Sequence, residues 1–508
     1  MIKNILGEPI VKHLIIFVFY VITFSAAHAQ DRDDRHSSQN MPTPEAPANF
    51  VTEHKARING ENISYTARAS EMLMRDEKTD EVTGLMWNVS YIRTDSGAGE
   101  NRPVMFIFNG GPGSSSVWLH MGVFGPKRIV LSDDAEDDGA APFQLDDNPM
   151  SLLDVTDMVV IDPIGVGYSR TLGKSDGKDV WGVKEDAKSV GSFIYRWLTE
   201  NNRWQSPKYL AGESYGTTRA AALIGELEGG WTDIAFNGVI LISSILDFNY
   251  EKTNHSHIHG YLSYLPTMAA TSWYHKMVPN RSDNIEDFLT KVRAFTIDEY
   301  APALLKGSSL ADDDRQNIID KLHNFTGLSK EYIDQSDLKI TAALYRSELM
   351  RSDRKAVGRL DGRFIINERA GNNRTYSYDP SSAGIDAAYT AGIMHYMQND
   401  LGVTGIHREY NILGGIGRWS WPEGRNGTNV APLLAQGQAE NKDLRIYVTN
   451  GYYDMATPFH GTEMTFNNYG FDKERVQMSY FEVGHMIYIH GPSLEKMTNE
   501  MRAFVLEE

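Results

Sequence analysis

"KYLAGESYGTTRAAAL", residues 208–223, joins three local signals in one stretch. A short apolar run leads into Gly212-Glu213-Ser214-Tyr215-Gly216, and a helix-forming, alanine-rich segment follows. Strand, sharp turn and helix in that order are the context that a G-x-S-x-G nucleophile elbow requires. The two glycines let the turn close tightly enough to push the Ser214 hydroxyl out at the C-terminal end of the strand. Ser214 is thereby expected at a helix N-terminus, where outward-pointing N–H groups favour developing negative charge.

Working outward, short apolar runs of the same kind recur: "VMFIF" (104–108), "MVVID" (158–162), "GVILIS" (238–243), "LRIYVT" (444–449) and "QMSYFEV" (477–483). Amphipathic stretches lie between and after them, for example "AKSVGSFIYRWLTENN" and the C-terminal "SLEKMTNEMRAFVLEE". This alternation predicts an α/β fold with a mostly parallel central sheet and helices on both faces. Residues 51–94 alternate apolar and polar side chains around an "NG" turn and read as antiparallel hairpins. Residues 250–435 break the rhythm with charged and aromatic residues, helical patterns and a glycine-rich loop, so they are expected to form an inserted, largely helical cap. The core is then built from residues 50–249 and 436–508.

The chain has 508 residues, 41% of them hydrophobic, and a formal net charge of −18. Lys3 and Lys12, the apolar stretch Leu14–Ala27 and the small residues of "AHAQ" make residues 1–29 a cleavable export signal. Fourteen apolar residues fall short of the roughly 20 that a spanning helix needs, so no membrane insertion is expected after cleavage. Residues 30–49 are polar and proline-bearing and read as a flexible leader. Loss of Lys3, Lys12 and Glu8 takes the charge from −18 to −19, which argues against nucleic acid or anionic lipid as partners. With no cysteine there is no disulfide, no thiol nucleophile and no thiolate ligand. An exported, cysteine-free chain suits a bacterial periplasm; oligomeric state is not fixed by the sequence.

A serine hydroxyl is a weak nucleophile until a base removes its proton, so a histidine and an orienting acid must accompany Ser214. The elbow architecture orders them serine, acid, histidine. Asp454 follows the run 444–449, and His485 follows the run 477–483, so each stands just past the C-terminal end of a strand. Asp247, after "GVILIS", is the alternative acid, and His490 the alternative base. The reaction such a serine performs creates a tetrahedral oxyanion that needs fixed N–H donors. Tyr215 supplies one, and the glycine-rich "NGGPGSSS" (109–116) after an earlier strand is the candidate for the other. A phosphate-cradling loop is the competing reading, but neither G-K-[S/T] nor G-x-G-x-x-G follows. No cofactor is implied.

"NGGPGSSS", "DPIGVGYS" (162–169), "GESYG", "NGYYDMATP" and "VGHMIYIHGP", in that order and at these separations, resemble the serine carboxypeptidase family, α/β-hydrolases of the carboxypeptidase Y kind, here in a cysteine-free, bacterial-type form. The resemblance covers about residues 100–250 and 440–507. It implies the α/β-hydrolase fold and a Ser214, Asp454 and His485 triad. It implies oxyanion donors at Gly111 and Tyr215, and a peptide substrate whose C-terminal carboxylate meets Asn109, Gly110 and Glu213. Glu213 must then be protonated, since two ionised carboxylates repel, and activity should be best in mild acid. The chain departs from the family at Val123, where a second glutamate normally pairs with the carboxylate-binding one, at Ile107 and at Ser114. With Val123, Glu213 is expected to lack the partner that would keep it protonated, which weakens the exopeptidase assignment.

The expected activity is therefore a serine-type carboxypeptidase, with an esterase or acyltransferase on the same scaffold as the alternative. A catalytically silent binding protein is a third reading. A metalloenzyme is a fourth, prompted by His255, His257 and His259 in "NHSHIHG", although no further zinc ligand is signalled nearby. Trp118, Tyr215 and the "RWSW" loop (418–421) are candidate pocket lining.

Overall fold

The structure, a computed structural model, describes residues 46–507 apart from 77, 96–98, 100, 230–232, 280, 368–377 and 422. The candidate export signal and most of the leader lie outside the described residues. Among those described, the main sheet runs through β1 (Asn49–Ile58), β2 (Glu61–Arg75), β3 (Val82–Arg93), β4 (Val104–Phe108), β5 (Asp157–Asp162), β6 (Lys208–Glu213), β7 (Gly238–Ile242), β8 (Arg445–Gly451) and β9 (Val476–Phe481). Their spatial order is β1-β2-β3-β5-β4-β6-β7-β8-β9, and a two-residue strand, Arg170–Thr171, pairs with β3 at the side.

The β1 to β3 meander and the β3–β5 pair are antiparallel. From β5 through β9 every pair is parallel. β4 lies between β5 and β6, so the connections leaving β4 and β6 diverge to opposite sides. Such a switch point opens a crevice at the strands' C-terminal ends. The register sets Phe108 beside Gly212 and Glu213 beside Ile242, so the loops that follow these strands rise from one rim.

Strand alternation divides the interior into two cores. Met105, Ile107, Tyr209, Ala211 and Ile240 point to one face, where Tyr389, Tyr396 and the helix Gly491–Leu506 cover them. Phe106, Phe108, Leu210, Val239 and Leu241 point to the other, under the helices Val183–Glu200, Tyr215–Leu227 and Ala431–Glu440. Buried on both faces, these strands need the near-continuous apolar composition seen in the sequence. Residues 250–435 go to more than one place. The helices His259–Tyr274, Ile285–Phe295 and Asp312–Thr326 build a third core, closed by Tyr452, Tyr453 and Phe459 just after β8. The helix Asp386–Asn399 instead returns to the first sheet face, and the helix Ala431–Glu440 to the second.

At the opposite rim, Asp157 opens β5 with almost no exposure. Arg102 Nε reaches one of its oxygens at 2.9 Å and Arg203 Nη1 the other at 2.6 Å. Removing the shared carboxylate leaves two buried guanidinium groups without a counter-charge, a defect that typically costs about 3–5 kcal/mol. Asp157→Ala should therefore lower the unfolding free energy measured in urea by roughly that amount; an unchanged midpoint would show that the cluster is not a structural anchor.

Candidate active site

The elbow forms as the sequence suggests. Ser214 has φ +59° and ψ −128°, a conformation that costs a non-glycine residue of order 1–3 kcal/mol and persists only where the surroundings enforce it. Its N–H donates to the Ile242 carbonyl of the neighbouring strand at 3.0 Å, and its carbonyl accepts from the Thr217 N–H at 2.9 Å. A Cβ at Gly212 would stand 2.3 Å from the Gly216 carbonyl oxygen, so the turn closes only around glycine. The same holds at Gly110, whose Cβ would lie 2.4 Å from the Tyr215 nitrogen. The 109–116 loop thus presses its backbone against the first residue of the helix Tyr215–Leu227, whose N–H has no partner within that helix.

Asn109, Gly110, Gly111, Glu213, Ser214, Tyr215 and His485 all line one cavity of about 550 Å³, together with Trp118. Asp454 stands behind His485 with no exposure. Its Oδ2 lies 2.7 Å from His485 Nδ1. Three further donors hold the carboxylate: Ala456 N and Thr457 N reach Oδ1 at 2.7 and 3.0 Å, and Thr457 Oγ1 reaches Oδ2 at 2.7 Å. An imidazole tied through Nδ1 keeps Nε2 as its exchangeable nitrogen. Burial pulls the His485 pKa down, but the Asp454 charge and hydrogen bond outweigh it, and the net shift is upward from 6.5. The alternative acid, Asp247, is engaged elsewhere, accepting from Tyr469 Oη at 2.6 Å and Asn249 N at 3.0 Å. His490 pairs with Ser493 Oγ at 2.8 Å at the start of the C-terminal helix.

Glu213 Oε2 accepts from the Asn109 amide and, at 3.0 Å, from Tyr488 Oη. Oε1 is buried with no partner among the described residues. Burial pushes the Glu213 pKa up to about 7, against the opposing pull of His485, the Tyr488 hydroxyl and the Asn109 amide. This corrects the expectation drawn from Val123. That side chain is buried in the first core, and the missing second carboxylate does not leave Glu213 acidic, because desolvation alone disfavours the charged form. Tyr488 takes the space nearby, with its ring against Gly122.

Behind the cavity wall lies a buried ion pair. Arg219 Nε meets Asp186 Oδ2 at 2.7 Å, its Nη1 donates to the Asn109 carbonyl, and its guanidinium stands 5.3 Å from both the Phe108 and Tyr215 ring centroids. Trp419 and Trp421 of the "RWSW" loop pack edge-on against Tyr215 at 5.2 and 5.9 Å. The histidine triplet does not converge. His257 bonds to Asn254 Oδ1 and Lys252 Nζ, while His259 packs on the Tyr250 ring. Among the described residues no group of three His, Cys, Asp or Glu side chains is arranged to hold a metal ion. No helix among them is long and apolar enough to cross a membrane.

A profile described as serine carboxypeptidase matches residues 87–489. The chain belongs to the serine carboxypeptidase family. Serine carboxypeptidase-like 36 of Arabidopsis thaliana is 30% identical over 119 residues, a stretch that is 23% of this chain and 22% of that protein. Kex1Δp, a prohormone-processing carboxypeptidase of Saccharomyces cerevisiae, aligns at 16% identity with a TM-score of 0.50, over 87% of this chain and 90% of its own. That likeness is one of fold, and the fold is the α/β-hydrolase fold with its mostly parallel sheet.

Several residues of this serine carboxypeptidase-family chain escape a reading of the sequence alone. Tyr488 sits inside a quoted motif, yet an aromatic residue three places after His485 reads as core. Thr457 carried a usable signal, since an aspartate followed three residues later by threonine is a capping pattern. Arg219 carried another, being a charge set among the threonines and alanines of the helix Tyr215–Leu227, and it proves buried. The raised pKa is open to direct measurement. An infrared pH titration should show a protonated-carboxyl band that disappears near pH 7 and is missing in Glu213→Gln; a Glu213 signal already ionised at pH 5 would contradict the burial argument.

Proposed function

We propose that the protein is an exported serine-type carboxypeptidase that releases C-terminal amino acids from peptides through an acyl-enzyme on Ser214. On this reading residues 1–29 are the export signal, and residues 250–435 are an inserted unit that shapes the acyl side of the cavity. His485 Nε2 accepts the Ser214 proton as Oγ attacks the last peptide carbonyl, and Asp454 holds the imidazole tautomer and stabilises the imidazolium. The Gly111 and Tyr215 N–H groups receive the oxyanion. His485 then returns the proton to the leaving amine as the C–N bond breaks. Water, deprotonated by the same imidazole, attacks the Ser214 ester and frees the shortened peptide, which restores the serine hydroxyl.

The observation that carries the exopeptidase reading is Glu213. Its Oε2 takes two donors, so a neutral Glu213 bears its proton on Oε1, which has no partner among the described residues. A neutral acid can donate to a substrate carboxylate that an ionised one would repel. Asn109 has a second amide hydrogen, and Gly110 a backbone N–H, to complete that contact.

The pH dependence follows with its sign. The neutral Glu213 needed for the free carboxylate is present below about 7 and is lost as pH rises through that value. The neutral His485 needed as base is gained as pH rises through a pKa that lies above 6.5. Each group shifts the other, so the two steps belong to the pair. Peptides with a free C-terminus should give a bell-shaped kcat/KM profile that falls above about 7, whereas esters or amides without the carboxylate should lack the falling limb.

Hydrolysis of an N-blocked dipeptide and of its C-terminal amide, by wild type and Ser214→Ala, tests the reading. Amidation should lower kcat/KM about 10- to 100-fold, and Ser214→Ala should abolish turnover by about 10⁴-fold or more. Equal rates on both substrates, still dependent on Ser214, would favour the esterase or acyltransferase reading instead.

A further inference from the structure

The loop 358–363 lies in the segment between β7 and β8, far in sequence from the acid and the imidazole, yet it bonds to the backbone on both sides of Asp454 and to the N–H groups of Gly484 and His485. Next to Asp454, the Gly362 N–H donates to the Tyr453 carbonyl at 2.9 Å, and the Arg359 carbonyl accepts from Met455 N at 3.0 Å. Next to His485, the Leu360 carbonyl accepts the His485 N–H at 2.6 Å, and Asp361 Oδ2 accepts the Gly484 N–H at 3.0 Å. Asp361 is 1% exposed, and Arg363 holds it through Nε and Nη2, the latter at 2.7 Å. The approach is tight, since a Cβ at Gly484 would stand 2.4 Å from the Asp361 Cα.

We propose that Asp361 is a positioning residue for the reaction: through the 359–362 backbone it locks the two loops that carry Asp454 and His485 into one register. The physical case is one of constraint. The loops after β8 and β9 leave the sheet at Gly451 and Phe481, and the direct backbone tie that continues between them is the bond from the Tyr453 N–H to the Val483 carbonyl at 2.9 Å, just short of Asp454 and His485. The 359–362 segment adds four bonds to that single tie, two to each loop, and the buried Asp361–Arg363 pair fixes the segment's own shape. Ser243 Oγ closes the cage from below by donating to the His485 carbonyl at 2.6 Å. Asp361 touches no reacting atom. Its effect passes entirely through where the imidazole sits.

This inference rests on the triad reading above, and the test separates the two. Steady-state kinetics of the full chain on a blocked ester should show Asp361→Ala lowering kcat about 100-fold, the size of loss a displacement near 1 Å produces, with KM within about two-fold. Asp361→Asn, equal in size and still able to accept from Gly484 N, should recover about ten-fold of that loss. The proton NMR resonance of the His485 Nδ1–H, which reports the bond to Asp454, should move in Asp361→Ala and return toward its wild-type place in Asp361→Asn. Unchanged kcat and an unmoved resonance in a folded Asp361→Ala would overturn the proposal. So would loss of fold in Asp361→Asn, judged by near-ultraviolet circular dichroism, since that would make Asp361 a structural pillar instead. Wild-type activity that survives Ser214→Ala would end the triad reading itself.

Discussion

A carboxylate with no exposure has to be surrounded by donors, and Asp454 is surrounded by four: two backbone N–H groups, the Thr457 hydroxyl and His485 Nδ1. The penalty for burying an unpaired ion is so large that this arrangement dictates where the imidazole goes. With Nδ1 spent on Asp454, Nε2 is the nitrogen left for the cavity that Ser214 also lines. The strained backbone at Ser214 and the close approach of Gly110 to Tyr215 then bring a hydroxyl and the 109–116 backbone to the same space.

The sheet supplies the rigidity these contacts need. The opposite rim is tied by the Asp157, Arg102 and Arg203 cluster, and the chemistry-bearing loops rise from the other end. The division of labour suits a parallel sheet, whose strand ends converge while their connections can vary. On the proposed reading, Glu213 adds specificity by a simple device. It is kept neutral by exclusion of water and not by a second acid, so recognition of a carboxylate is coupled to the dryness of one end of the cavity.

The parts of this account legible in the sequence are those governed by local period and local backbone demand. Largely apolar runs of five to seven residues announce the parallel strands, and the glycines of "GESYG" and "NGGPG" announce turns that a side chain would obstruct. Asp454 and His485 are legible because each follows its strand directly. The electrostatics of Glu213 are not, since its neighbours give no hint of burial and Val123 pointed the other way. Tyr488 and the 359–363 loop are hidden for a related reason: their partners are distant in sequence, and no periodicity marks a tyrosine that donates to Glu213 or an aspartate that accepts the Gly484 N–H. Residues 250–435 read as one insertion because their composition differs from the core, yet their helices serve three different cores.

The central claim is that Ser214 becomes acylated during turnover. Acid-quenching the full-length enzyme within milliseconds of mixing with an N-blocked amino acid ester, then mapping peptide masses, measures this directly. A transient adduct of the acyl group's mass should appear on the peptide carrying Ser214, forming faster than steady-state turnover and decaying as the ester is consumed. Turnover with no adduct at Ser214, or with the adduct on another residue, would contradict it.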